Sequence, residues 1–231
     1  MRRERKRILR QRSVWVKTRT QVRNRIHGVI DRQKDLKIPQ LSDLFGKKGI
    51  SFLRGLKLEE PSHTILRSCL DLHDWLQGEI NLLEKKMRED ILRMDEVILL
   101  QTIPGVGRIL GSSIALETDG IARFKSSKDY CSYVGVVPRT HSSGGKTYQG
   151  GLVDHGNKWL KSAVIEASWV AISSSGYFGS IYKHQKSRCK NSNVAIVAVA
   201  RRICQIIWRV LKEKKDYFEE KPISPVAPSL D

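Results

Sequence analysis

Nine apolar residues, Ile65, Cys69, Leu72, Leu76, Ile80, Leu83, Met87, Ile91 and Met94, recur every three or four positions. An α-helix turns once in about 3.6 residues, so this spacing puts all nine on one stripe of a single long helix. At about 1.5 Å per residue such a helix is on the order of 50 Å long. That exceeds what one compact domain needs, and the stripe calls for a partner helix, from residues 8–30 or from another subunit. Ser62 is read as the N-cap, with Pro61 ending whatever precedes it. Gly78 weakens the helix by about 1 kcal/mol relative to Ala without stopping it. The stripe is core or oligomer seam, and the chain built around it is mainly α.

Residues 2–30 are rich in Arg and Lys, with Trp15, Val22, Ile26 and Val29 at helical spacing. They predict a helix with an apolar stripe and a very basic remainder. The whole chain carries 42 Lys+Arg against 24 Asp+Glu, a net charge of +18. Such an excess draws polyanions, nucleic acid first, because each phosphate neutralised releases a condensed counterion. Arg10, Arg12, Lys17, Arg19, Arg23 and Arg25 are the expected phosphate-tracking set on this helix. A solvated face beside a core stripe is the plainer account of the same residues, and the two are compatible. For the charge as a whole, a ribosomal-type or merely soluble basic surface stays open.

The four cysteines, Cys69, Cys131, Cys189 and Cys204, are far apart, with no C-x-x-C pair. They read as free thiols in a reducing cytosol. No apolar run approaches the roughly 20 residues of a membrane span, and the basic N-terminus lacks the apolar segment of a signal peptide. A cytoplasmic, nucleoid-associated protein with no membrane contact is expected.

Four segments follow: a basic helix and linker (1–62), the long coiled-coil-like helix (63–97), a helical domain (98–215) and a disordered tail (216–231). Within the third, Ile103-Pro104-Gly105-Val106-Gly107 is a turn followed by a helix over Ile109–Leu116, and a second helix starts near Ser126. This is the sequence form of a helix-hairpin-helix. Gly105 and Gly107 would let backbone amides approach a phosphate at a helix N-terminus, beside Arg108. A tight connection between two helices is the alternative. His141-Ser142-Ser143-Gly144-Gly145-Lys146 is too glycine-rich for a helix and reads as a loop or short hairpin. Asn157 caps a buried helix through Val164–Ala171, and a second apolar helix spans about Asn193–Lys212.

The run IPGVG…RF…Y.GVVPR.H.SGGK…G…GN.WLK…EA, over residues 99–211, resembles the C-terminal domain of the DEDD-type, bridge-RNA-guided insertion-sequence transposases. The preceding helices are similar to the linker and coiled coil of that family. The resemblance implies a serine that attacks a DNA phosphodiester and becomes covalently joined to it. On this sequence that residue is Ser143, with Ser142 as the alternative if the alignment slips by one. Arg139, Gly144, Gly145, Lys146, Lys158 and Lys161 join Gly105, Gly107 and Arg108 as implied DNA contacts. DNA, a structured guide RNA and a second copy through the long helix are the implied partners.

Two features depart from the family. Its G-R-I-[ST]-K-x-G-N stretch reads Gly150-Gly151-Leu152-Val153-Asp154-His155-Gly156-Asn157 here, replacing an Arg and a Lys by Gly151 and Asp154. The family's ribonuclease-H-like domain, whose four carboxylates bind Mg²⁺, is not in this sequence. Asp71/Asp74, Glu84/Glu89, Glu117 and Asp119 read as solvated charges, not substitute ligands. No metal or cofactor is expected on this chain, Mg²⁺ entering only through the missing domain. The expectation is a truncated or split transposase part, inactive alone. A non-catalytic helix-hairpin-helix module binding DNA or RNA, and a structural protein of a ribonucleoprotein, are the competing functions. A triad of His141, Ser143 and Asp154 is set aside, because all three lie in one short loop region without an oxyanion hole.

Overall fold

The computed structural model describes residues 2–33, 36–143, 146–153 and 155–218, with the backbone alone for 140–143 and 146–150. The fold is mainly α, as expected. It divides into two units, one of Arg7–Met87 and the other of Met1–Lys6 with Arg88–Asp231.

The unit of Arg7–Met87 is built on two long helices, α1 (Arg2–Ile30) and α3 (Ser62–Asp90), with a short α2 (Lys47–Gly55) between them in sequence. Helices α1 and α3 run antiparallel. Their register is marked by Arg12 on Glu84 (2.7 Å), Arg19 on Gln77, and Arg23 Nε donating to His73 Nε2 (3.2 Å). Val22, Ile26, Val29 and Ile30 of α1 bury against Leu66, Cys69, Leu70 and Leu76 of α3 and Leu53 of α2. The partner helix is therefore found within the same chain.

The long helix departs from expectation in three ways. It ends at Asp90, 29 residues and about 43 Å long, so Ile91 and Met94 are not on it. Ile91 is fully buried in the turn that follows, where Met94 N donates to Ile91 O (3.2 Å). An apolar residue buried at a turn thus continues the rhythm past the helix end. Asp95 and Glu96 then sit in the first turn of α4 (Asp95–Leu100), where acidic residues favour a new N-terminus. The buried stripe is also rotated: it comprises Leu66, Cys69, Leu70, His73, Leu76, Ile80 and Met87, while Leu72 is 44% exposed. Finally, Ser62 is already helical, and the Glu60 carboxylate accepts from the Thr64 hydroxyl at 3.0 Å.

The second unit follows α4 with α5 (Arg108–Thr118), a 3-10 turn at Ile121–Arg123 and α6 (Ser127–Val134). Ser126 caps α6 through a capping box with Asp129. A two-stranded antiparallel hairpin, β1 (Pro138–Ser143) and β2 (Lys146–Leu152), leads into α7 (Lys158–Ser174), α8 (Gly176–Cys189) and α9 (Ser192–Glu213). Helix α9 packs against α4, α6, α7 and α8 and buries ten residues, from Ala195 to Leu211. It is the core helix that its apolar sequence predicts. Helix α8 is not anticipated, because only Tyr177 and Phe178 of its 14 residues are buried and the rest are too polar to show a period. Tyr217, assigned to the tail, is 8% exposed within the core cluster, and its N–H donates to Thr102 Oγ1 (2.9 Å). The remainder of the expected tail, 219–231, lies outside the described residues. All four cysteines are free. Among the described residues no helix is long and apolar enough to cross a membrane.

Candidate nucleic-acid interface

The hairpin that carries Ser142 and Ser143 grows from a tightly stitched root. Gly135 ends α6 in the left-handed region (φ 84°) and lies against Gly156, so close that a Cβ on Gly156 would stand 2.6 Å from Gly135 Cα. Only glycine fits this crossing without moving one strand of backbone. Val153 N donates to Val137 O (3.2 Å) and Asn157 N to Tyr133 O (2.9 Å), joining the entry and exit of the hairpin. Asn157 caps α7 as its residue type predicts, accepting from Trp159 N and Leu160 N (3.1 Å each).

The same asparagine donates through Nδ2 to Glu117 Oε2 (3.0 Å) and to Tyr133 Oη (3.2 Å), while Tyr133 Oη donates to the Glu117 carbonyl (3.2 Å). Glu117 is only 4% exposed. The expectation of a solvated charge is wrong for this residue. A carboxylate on the inward side of α5 is tolerated because Asn157 and Tyr133 meet it there. Its burial depends on a partner 40 positions away, which no local pattern announces.

From this root β1 and β2 pair with Ser142 opposite Thr147 and Ser143 opposite Lys146, after an irregularity between Pro138 and Thr140 that falls at Arg139. The short hairpin is thus present. Gly144, Gly145 and Asp154 lie outside the described residues, and Ser142, Ser143 and Lys146 are placed as strand backbone. Gly151 is exposed on β2.

The turn before α5 makes two different uses of its glycines. Gly105 has φ 84°, and a Cβ there would stand 2.2 Å from Ala167 O and 2.7 Å from Ala171 N. Its missing side chain therefore serves packing against α7. Gly107, by contrast, faces open space: a Cβ there would meet no atom within 4 Å. It is the extended N-cap of α5, with no side-chain cap. Next to it Arg108 is exposed. The free amides at this helix start are the ones open to an anion. Gly105 meets Ala167 and Ala171, whereas Glu117 near the other end of α5 meets Asn157. The 11 residues of α5 separate these ends by roughly 16 Å. The turn and the hairpin root are consequently two places, not one.

Lys158 is exposed at the start of α7, and Lys161 is half-buried with its aliphatic chain beside Gly135. On α1, Lys17 and Arg25 are exposed and Arg10 is half-buried. Arg12 is held by Glu84, and the Arg23 guanidinium lies 4.7 Å from the Phe45 ring centroid. Burial, together with Arg23 and Arg12, lowers the Arg19 pKa from its ordinary value. Arg12, Arg19 and Arg23, among the expected contacts on this helix, are thus engaged by the fold.

Asp71, Asp74, Glu84 and Asp119 also have protein partners. Asp71 and Asp74 both meet Arg54 (3.1 and 2.7 Å), and Asp119 meets Lys6 (3.1 Å) and Arg2 (3.7 Å). Burial pushes the Asp74 carboxyl up, but Arg54 and His73 outweigh it and the net direction is down. The hydrogen bond from Lys6 holds Asp119 below the usual carboxylate range. Among the described residues no three His, Cys, Asp or Glu side chains are grouped so as to hold a metal ion. These donors do not fit the Mg²⁺ of a four-carboxylate site.

Residues 98–183, which contain the α5 turn, the hairpin and α7, match the Transposase IS116/IS110/IS902 family. That stretch is similar to a transposase domain of the family. It is 26% identical over 204 residues to the transposase for insertion sequence element IS1328 of Yersinia enterocolitica, covering 81% of this chain and 61% of that protein. Against the transposase for insertion sequence element IS1111A of Coxiella burnetii, identity is 23% over 91% of this chain and 59% of the relative. A pilin gene-inverting protein of Moraxella lacunata is 31% identical, over 52% of this chain and 38% of its own length. The chain spans no more than 61% of the length of these relatives.

Proposed function

We propose that this chain is the DNA-joining part of an insertion-sequence transposase, with Ser143 as the nucleophile on a DNA phosphodiester. The observation that carries the reading is the family match over residues 98–183, within which the hairpin bearing Ser143 stands on the Glu117–Asn157–Tyr133 root. The Ser143 hydroxyl forms a bond to phosphorus as one backbone P–O bond breaks, and the leaving sugar oxygen takes up the proton. Reversal of the same step rejoins the strand without a nucleotide cofactor, because the enzyme link conserves the phosphodiester. A serine hydroxyl is a weak nucleophile at neutral pH and needs activation. Mg²⁺ held by an acidic domain would supply it in the family, and Asp71, Asp74, Glu84, Glu117 and Asp119 here are engaged with protein partners. On this reading the activation comes from another domain or chain, and the chain alone binds DNA without completing strand exchange.

Arg108 and the amides after Gly107, Arg139, Gly144, Gly145, Lys146, Lys158 and Lys161 are the proposed DNA contacts. Lys17 and Arg25 extend the grip along α1 toward DNA or a structured guide RNA. Leu72, Trp75 and Leu82, 44 to 53% exposed on α3, supply an apolar face for a second copy. The setting is the cytoplasm, on nucleoid DNA.

The test is covalent trapping on nicked or suicide DNA substrates, with guide RNA and the acidic domain of a relative supplied. A protein–DNA adduct that is lost in Ser143→Ala and kept in Ser142→Ala supports the assignment. Salt-sensitive binding with no adduct favours a non-catalytic module instead. Strand exchange by the chain alone would show that activation is internal after all.

A further inference from the structure

Helix α7 has two unlike faces. Its inner face is small and buried: Leu160, Ala163, Val164, Ala167, Ser168 and Ala171. Its outer face lines an open depression of about 550 Å³, running from Lys158 and Lys161 past Ile165 to Trp169 and Val170. Trp169 is 42% and Val170 50% exposed. The Trp169 ring meets Tyr182 of α8 edge-on, with centroids 5.9 Å apart, and Lys186 Nζ lies 5.7 Å from the Tyr182 centroid. An aromatic pair is thus bracketed by lysines at both ends, along a helix whose first turn sits on the hairpin root.

We propose that this face is a stacking platform for unpaired nucleotides, with bases lying on Trp169 and phosphates meeting Lys158, Lys161 and Lys186. It rests on the nucleic-acid-binding part of the reading above and not on Ser143. Nucleobases are flat and apolar on their faces and carry one anionic phosphate each, which matches an apolar floor with a cationic rim. Glu166 on the same lining leaves it net positive. A duplex hides its base faces in the stack, so the ligand that fits is single-stranded. A second copy of the chain fits less well, because a two-fold contact on this face would bring the same lysines together.

The experiment measures binding of the full chain to three labelled ligands of equal length: a single-stranded DNA, its duplex, and a strand of abasic residues. Trp169→Ala is expected to weaken the base-bearing single strand by at least about fivefold. Trp169→Phe should retain most of that affinity, and duplex and abasic binding should match the unsubstituted protein. Coincident thermal melts of both Trp169 variants exclude misfolding as the cause. Equal single-strand binding by Trp169→Ala, or an equal loss on the abasic strand, overturns the platform while leaving the nucleic-acid reading intact. A change of oligomeric state in Trp169→Ala without a binding change makes the face a subunit contact and overturns the platform too. Failure to bind any of the ligands overturns both.

Discussion

At the scale of single residues, Glu117 and Gly105 separate structural from chemical roles. Glu117→Ala removes the acceptor that Asn157 Nδ2 uses at 3.0 Å and leaves one N–H of that half-buried amide unmet, while the other still donates to Tyr133 Oη. An unmet buried polar group costs about 1–3 kcal/mol. Urea unfolding should show a loss of that size, and Glu117→Gln, which keeps an acceptor oxygen, should lose clearly less. The glycines of the α5 turn predict opposite outcomes. Gly105→Ala forces a Cβ into Ala167 O and a left-handed backbone, so it should destabilise by at least about 2 kcal/mol or yield no soluble protein. Gly107→Ala meets open space, so the fold should survive with a loss of about 1 kcal/mol or less. DNA affinity should nevertheless fall if the adjacent amides take a phosphate. Unaltered affinity in a folded Gly107→Ala protein would remove the turn from the interface. Both glycines stand out equally in the sequence, and nothing local says that one faces Ala167 and the other solvent.

At the scale of elements, the N-terminal turn of α1 is held to the end of α5 by Arg2 and Lys6 on Asp119. The Asp119 carboxyl is depressed by that hydrogen bond, so its contribution is present above the ordinary aspartate value near 3.9 and is lost as pH falls through the lower folded value. Because the site is nearly half exposed, the contribution at neutral pH is about 1 kcal/mol or less. The stability difference between the unsubstituted protein and Asp119→Asn should therefore shrink to nothing in strong acid. A difference that grows on acidification would contradict the pairing. For α3, the double substitution Leu72→Ser, Leu82→Ser is expected to convert an oligomer to a monomer in sedimentation, with little loss of helix, since neither side chain is buried. The elements also show what a periodic pattern can and cannot convey. Helices α1 and α9 emerge over nearly their expected ranges because their apolar residues repeat over many turns. Helix α8 escapes notice because Tyr177 and Phe178 alone anchor its inner side. The end of α3 is misplaced because Ile91 is buried at a turn, in phase with the helix before it.

At the scale of the whole molecule, a net charge of +18 predicts binding governed by salt. With about six phosphates contacted, the logarithm of the association constant should fall against the logarithm of salt concentration with a slope near −5. A nearly flat titration would count against phosphate contact, whatever the identity of the nucleophile. The arginines that α3 holds, Arg12, Arg19 and Arg23, should add little to that slope, whereas Lys17, Arg25 and Lys158 should each reduce it by about one when neutralised.

The amino-acid order alone determined the helical class, most of the helices though not α8 or the break between α3 and α4, the hairpin and the net positive charge. Helical spacing, caps such as Ser126 and Asn157, and glycine-rich turns act over a few neighbouring residues, and charge adds up regardless of fold. Only the tertiary structure decided which side of α3 faces inward, that Glu117 is buried, that Gly105 is a packing glycine, and that the α5 turn and the hairpin root are separate places. Each of those depends on groups tens of positions apart coming within a few ångströms, as with Glu117 and Asn157 or Gly105 and Ala167. Contacts of that kind are set by how helices stack, and no stretch of neighbouring residues encodes them.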